Sequence, residues 1–163
     1  MSPTRVATLM AVPIFVGVRA EVIAGLLDRA ANVVVRAGDY YFREGDKSES
    51  MYVLERGTVS LLKHWGEAAH VLGELQAGEC FGEMALLDFF PRSASVLAET
   101  ECSAVELTTR SLYDLYASDP QQFAQIQMNI ARELSARLRA ADERIFRSYI
   151  GADDLSAPWN YVA

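Results

Sequence analysis

A chain of 163 residues with 51% hydrophobic and 23% charged side chains has the composition of a folded protein, and its length suits one domain with a sizeable core. Its net charge of −7 repels phosphate backbones and speaks against unaided binding to DNA or RNA. Cys80 and Cys102 show neither metal-ligand spacing nor a disulfide framework and fit a reducing, cytoplasmic setting.

Arg5 is followed by VATLMAVPIFVGV, which has the look of a secretory apolar region, but Pro13 interrupts it and no A-x-A cleavage site follows. Residues 7–15 read instead as a short helix or turn packed on the domain through Leu9, Met10, Ile14 and Phe15. No stretch reaches the ~20 apolar residues of a membrane span, so no membrane partner is expected. From Arg19 to Ala31 the spacing of Val22, Ile23, Leu26 and Leu27 predicts a helix.

From Asn32 the pattern changes to short β-rich runs: VVV, YYF, MYVL, VSLL, VLGEL and SVLAE. Glycine turns separate them, with Gly45, Gly57 and Gly78 as turn residues and Glu67 to His70 as a hairpin tip. Such a series predicts an antiparallel sandwich or barrel, and with the helices around it a mainly β, α+β chain.

The densest stretch is GECFGEMALLDFFPRSASV, Gly78 to Val96. Phe81 and Gly82 end an apolar strand, and Gly82, lacking a Cβ, lets the backbone come close to a ligand. Glu83 to Leu87 has the composition of a short helix, whose first N–H groups lack intrahelical partners and suit an anion. Arg92, behind Pro91, offers a planar fork of donors that fits a phosphate. Ser93 and Ser95 add hydroxyls, and Ala94 leaves its N–H unobstructed.

Glu101 to Thr108 reads as the last strand, and Ser111 to Ala117 as a helix capped by Thr108, Thr109 or Ser111. Asp119-Pro120 is a strong helix start. Phe123, Ile126, Ile130, Leu134, Leu138, Ala141 and Ile145 then follow in steps of three or four, an apolar stripe on a helix of about seven turns. After Ile150 the sequence reads as an irregular tail, with Trp159 or Tyr161 docked on the body.

The segment FGEMALL…PRSASV resembles the phosphate-binding cassette of the cyclic-nucleotide-binding domain family, in order and in spacing, and the resemblance extends over roughly Leu9 to Arg139. It implies an eight-stranded double-stranded β-roll of jelly-roll type. Its divisions here are an N-terminal helical segment (1–31), the roll (32–109) with the cassette (78–96), lid or dimerisation helices (110–150) and a tail (151–163).

In that family the glutamate accepts a bond from the ribose 2′-OH and the arginine pairs with the cyclic phosphate. Carried over, these are Glu83 and Arg92. Phe81 heads the motif, and Gly82, Met84, Ala85, Ser93 and Ala94 would supply backbone or hydroxyl contacts. Leu61 and Leu72 align with base-facing positions. The family's lid positions, aligned from Arg92 and Pro120, fall on Arg137 and Leu138, which replaces hydroxyls by a guanidinium and an isobutyl group.

The resemblance implies a ligand-binding sensor, not an enzyme, with no cofactor and no metal site. cAMP is expected ahead of cGMP, and Ser93 leaves cGMP open. A homodimer through Ile130, Leu134, Leu138, Ala141 and Ile145 and an effector protein are the partners implied. Only about a dozen residues follow Ile150, too few for a helix-turn-helix reader, so no DNA-binding domain of its own is expected. Two rivals differ in kind. A ligand-free interaction domain on this fold has no need for Glu83 and Arg92. A cupin-like metal enzyme requires several ligands, and the chain has only His64 and His70.

Overall fold

The computed structural model describes residues 3–88 and 90–150, so the expected tail and its Trp159 or Tyr161 lie outside the described residues. The chain enters through α1 (Pro3–Met10), one turn of 3-10 helix (Pro13–Phe15) and α2 (Ala20–Arg29). Eight strands follow: β1 (Ala31–Val35), β2 (Tyr40–Phe42), β3 (Ser50–Arg56), β4 (Thr58–Trp65), β5 (Ala68–Gln76), β6 (Cys80–Phe81), β7 (Ser95–Ala98) and β8 (Cys102–Thr108). The short α3 (Met84–Asp88) separates β6 from β7, and α4 (Thr109–Ser118) and α5 (Pro120–Ile150) complete the described residues.

The strands form two antiparallel four-stranded sheets, ordered β1-β8-β3-β6 and β2-β7-β4-β5. The α+β architecture expected from the sequence, with an N-terminal helix, antiparallel sheets and a long C-terminal helix, is the one found. The hairpin tip lies at Gly66 and Glu67, slightly earlier than expected, and His70 already pairs with Lys63 across the β4–β5 ladder.

In the first sheet β3 is covered on both faces, which explains its unbroken apolar run, whereas the edge strand β1 is largely exposed. Side chains of a strand alternate between faces. Met51 and Val53 of β3, Val105 and Leu107 of β8 and Cys80 of β6 join a core with the helices. Tyr52 and Leu54, Cys102 and Ala104, and Phe81 turn the other way, into a second core between the sheets with Val59, Leu75, Val96 and Ala98. The N-terminal segment supplies Leu9, Val12, Ile14 and Phe15 to the helical core, whereas Met10, expected among these anchors, faces solvent.

Helix starts follow local chemistry. Thr108 caps α4 by accepting from Ser111 N at 3.1 Å, and Asp119 Oδ1 accepts from Gln122 N at 3.2 Å at the start of α5. Ile126 and Ile130 of α5 are fully buried and Leu134 is half-buried, yet Leu138 and Ile145 face solvent. At about 100° per residue each four-residue step overshoots a turn by about 40°, so the stripe walks off the contact face. Ile130 and Leu134 therefore belong to the core and not to the dimer seam expected for them.

Asn129, buried in α5, donates Nδ2 to Ile14 O at 3.0 Å and to Val16 O at 2.8 Å and so ties α5 to the 3-10 turn. Asn129→Ala strands the Ile14 carbonyl and leaves Val16 O with Gln125 Nε2 alone, at 3.2 Å. A loss of about 1–3 kcal/mol is expected, read as a lower urea midpoint with unchanged slope. An unchanged midpoint would assign the docking of α5 to apolar contact alone.

Candidate functional site

The cassette hangs between β6 and β7. Cys80 and Phe81 pair with Val53 and Tyr52 of β3, which sends Phe81 into the roll core, stacked on Tyr52 at 5.3 Å between ring centroids. Phe81 thus contributes its backbone, not its ring, to the cassette surface. Gly82 follows at φ +77°, and a Cβ there would collide with Arg92 Nη1. Glycine is required on both counts.

Arg92 is only 6% exposed. Its guanidinium carbon lies 3.9 Å from the centroid of the Phe42 ring, Nη1 donates to Gly82 O at 3.1 Å, and Nη2 donates to Ser50 Oγ at 3.4 Å. Its Nε, like Tyr41 Oη and Ser48 Oγ, is buried without a hydrogen-bond partner. Burial pulls the Arg92 pKa down, and Tyr52, Glu106, Asp46 and Glu83 pull it back. An open cavity of about 560 Å³ adjoins Arg92, bounded also by Phe42, Lys47, Ser50, Tyr52 and Glu106. Of the predicted contact residues it touches Arg92 alone.

Glu83 is buried to 3% exposure just before α3. Its Oε1 accepts from Arg137 Nη1 at 2.9 Å, while Arg137 Nη2 donates to Cys80 O at 2.6 Å. Burial pushes the Glu83 pKa up, and Arg137 is the largest of the influences opposing it. Burial likewise drives the Cys80 thiol up to about 12, so it is no nucleophile at neutral pH.

The far end of the cassette is pinned by Lys63 of β4. Its Nζ donates to Ser93 O at 2.8 Å and pairs with Glu44 at 2.5 Å, holding the Glu44 pKa below the usual carboxylate range. Arg92 N donates to Asp46 O at 2.9 Å and Gly45 N to Arg92 O at 2.8 Å, so the β2–β3 loop clasps the arginine's backbone. Ser93 Oγ faces solvent 3.7 Å from Met84 Sδ, and Ala94 is half-buried.

The structure brings Glu83, Gly82, Arg92 and Arg137 together. Leu61 is half-buried against the roll core, Leu72 is 46% exposed on β5, and Leu138 is 62% exposed on α5. Phe42, Ser50, Tyr52, Lys63 and Arg144 were not anticipated. Arg137, expected at a lid position, lies seven residues after the buried Ile130 and hence on the same helix face, where it meets Glu83.

The family model described as Cyclic nucleotide-binding domain matches residues 32–119, more than half of the chain. The chain belongs to the cyclic nucleotide-binding domain family. It is 32% identical over 131 residues to the cyclic AMP receptor protein of Thermus thermophilus, covering 80% of this chain and 59% of that one. It is 34% identical over 101 residues to the cAMP-dependent protein kinase regulatory subunit of Emericella nidulans, covering 62% of this chain and 24% of that one. The crystal structure of Thermus thermophilus catabolite activator protein superposes with a TM-score of 0.71 at 31% identity, covering 82% of this chain and 61% of that chain. The chain thus spans less than two thirds of these relatives.

As a cyclic nucleotide-binding domain it is a regulatory, ligand-sensing module. Among the described residues no group of His, Cys, Asp and Glu could hold a metal ion, and no helix is long and apolar enough to cross a membrane.

The raised pKa of Glu83 has a consequence for stability. Between the unfolded value of about 4.3 and the folded one, the folded state binds more protons, so stability falls as pH rises through that window and then levels off. Glu83→Gln should remove this component, giving a smaller decline in urea midpoint from about pH 4 to neutrality than the parent shows. Parallel pH profiles would show that burial does not dominate at Glu83.

Proposed function

We propose that this domain binds cAMP in preference to cGMP and relays its presence to an effector protein. The observation that carries the reading is Arg92, a buried guanidinium with a donor left unpaired, beside the buried Glu83 carboxylate, in the family's cassette. Arg92 takes the cyclic phosphate and Glu83 the ribose 2′-OH. Gly82, Met84, Ala85, Ser93 and Ala94 contribute backbone or hydroxyl contacts, and Leu61 and Leu72 wall the base. The names of the two relatives, a cyclic AMP receptor and a cAMP-dependent kinase subunit, support the adenine nucleotide. Two free, buried thiols support a cytoplasmic setting.

A charge-assisted hydrogen bond contributes ~1.5–3 kcal/mol, so Arg92→Ala should weaken cAMP at least tenfold in calorimetric titration. Glu83→Ala should bind cAMP and 2′-deoxy-cAMP alike. Parental affinity in both variants would dismiss the site, and tighter binding of cGMP than cAMP by the parent would reverse the ligand order.

The partner at α5 is a second copy of the chain. The exposed flank of the helix carries Met128, Ala131, Ser135, Leu138, Asp142, Ile145 and Tyr149 at alternating steps of three and four, the repeat of a coiled-coil seam. This seam replaces the one through Ile130 and Leu134. Light scattering should give a dimer at tens of micromolar that Leu138→Glu with Ile145→Glu converts to monomer, a concentration range set by modest helix seams. A monomeric parent would refute the dimer.

A further inference from the structure

Glu106 puts a carboxylate where the strand pattern calls for an apolar side chain. On β8 it shares a face with Cys102 and Ala104, both buried in the core between the sheets. Its neighbour across the ladder is Tyr52 of β3, and Ser50 lies two residues before Tyr52 on the same face. All three border the open cavity of about 560 Å³ that Arg92 also lines.

A series of donors runs from the arginine to this carboxylate. Arg92 Nη2 donates to Ser50 Oγ at 3.4 Å, Ser50 Oγ donates to Tyr52 Oη at 3.5 Å, and Tyr52 Oη donates to Glu106 Oε1 at 3.1 Å. The first two links are long, so their value lies in orientation more than in bond strength. Burial raises the Tyr52 pKa, so its hydroxyl keeps the proton it gives to Glu106. A carboxylate at neutral pH accepts and does not donate, which fixes the direction of the whole series. Both hydroxyls turn their hydrogens toward Glu106 and their oxygens toward the guanidinium.

Arg92 has need of such support. At 6% exposure its guanidinium donates to a carbonyl and a hydroxyl rather than to a carboxylate. Burial pulls its pKa down, and of the carboxylates that oppose this Glu106 comes first. A carboxylate in direct contact would take up donors that an anionic ligand requires. One reached through two hydroxyls balances the charge and leaves Nε without a partner.

We propose that Glu106, acting through Tyr52 and Ser50, is a positioning residue for Arg92, holding the guanidinium at the cassette with Nε open to the phosphate. The proposal rests on the nucleotide reading of the cassette. Glu106 and Tyr52 act in it through the arginine and not by touching the ligand.

The test has one arm without ligand and one with it. Glu106→Gln keeps the shape and an acceptor but removes the charge, whereas Tyr52→Phe keeps the ring and cuts the series. Without ligand, the Arg92 Nε–H signal is followed by heteronuclear NMR and assigned by its loss in Arg92→Lys. In both variants its exchange with water should be faster than in the parent. Unchanged exchange in Glu106→Gln overturns the proposal.

In calorimetric titration each variant should bind cAMP about fivefold more weakly than the parent, and neither change should cost anything further in an Arg92→Lys background. Equal losses in the two backgrounds would reduce Glu106 and Tyr52 to packing of the roll and overturn the positioning role. Parental or tighter affinity in Glu106→Gln would overturn it too. If the parent binds neither cAMP nor cGMP, the nucleotide reading fails, and the exchange of the Arg92 Nε–H alone decides whether Glu106 holds the arginine.

Discussion

A guanidinium enclosed by a β-roll needs compensating partners, and Arg92 sets that requirement here. The ring of Phe42 covers its face, Gly82 O and Ser50 Oγ take two of its donors, and Glu83, Asp46 and Glu106 supply negative charge nearby. The backbone conforms to the same demand. Gly82 adopts a conformation that side chains avoid, at a point where any side chain would displace the arginine. The β2–β3 loop grips Arg92 through two main-chain hydrogen bonds. A large part of the cassette's shape thus follows from keeping one cation indoors without saturating its donors.

The sheet β1-β8-β3-β6 links this interior to the helices. Because β3, β6 and most of β8 are covered on both faces, adjacent residues of one strand serve different cores: Cys80 packs with the helices and Phe81 with the roll. These two residues are the cassette's entry strand, so a shift in it is felt on both sides. Arg137 strengthens the connection, since it bonds to the Cys80 carbonyl as well as to Glu83.

Much of the architecture was legible because the local signals agree. Asp119-Pro120 starts a helix, Thr108 caps one, and the glycine-separated runs become strands of two sheets. The cassette was legible through its residue types and spacing. The environment of Arg92 was not, because Phe42, Ser50 and Tyr52 lie 40 to 50 positions earlier in the chain and meet it only through sheet topology. Leu138 was read as part of the apolar stripe, but a run of four-residue steps carries that position round to solvent. Met10 was misplaced for a related reason: apolar character marked it for the core, while the end of α1 left it outside.

The seven-residue interval from Ile130 to Arg137 acts as a phase setting between core and cassette. Substitutions within it leave the phase intact. Loss of a single residue would rotate everything downstream by about 100° relative to the anchored half and put Leu138 in the place of Arg137. An isobutyl group would then face a carboxylate that has no exit to water. Across related chains with the same pairing, this interval should vary in composition outside the core position Leu134 and hardly at all in length, while insertions gather at the β4–β5 tip, where no such angular register exists.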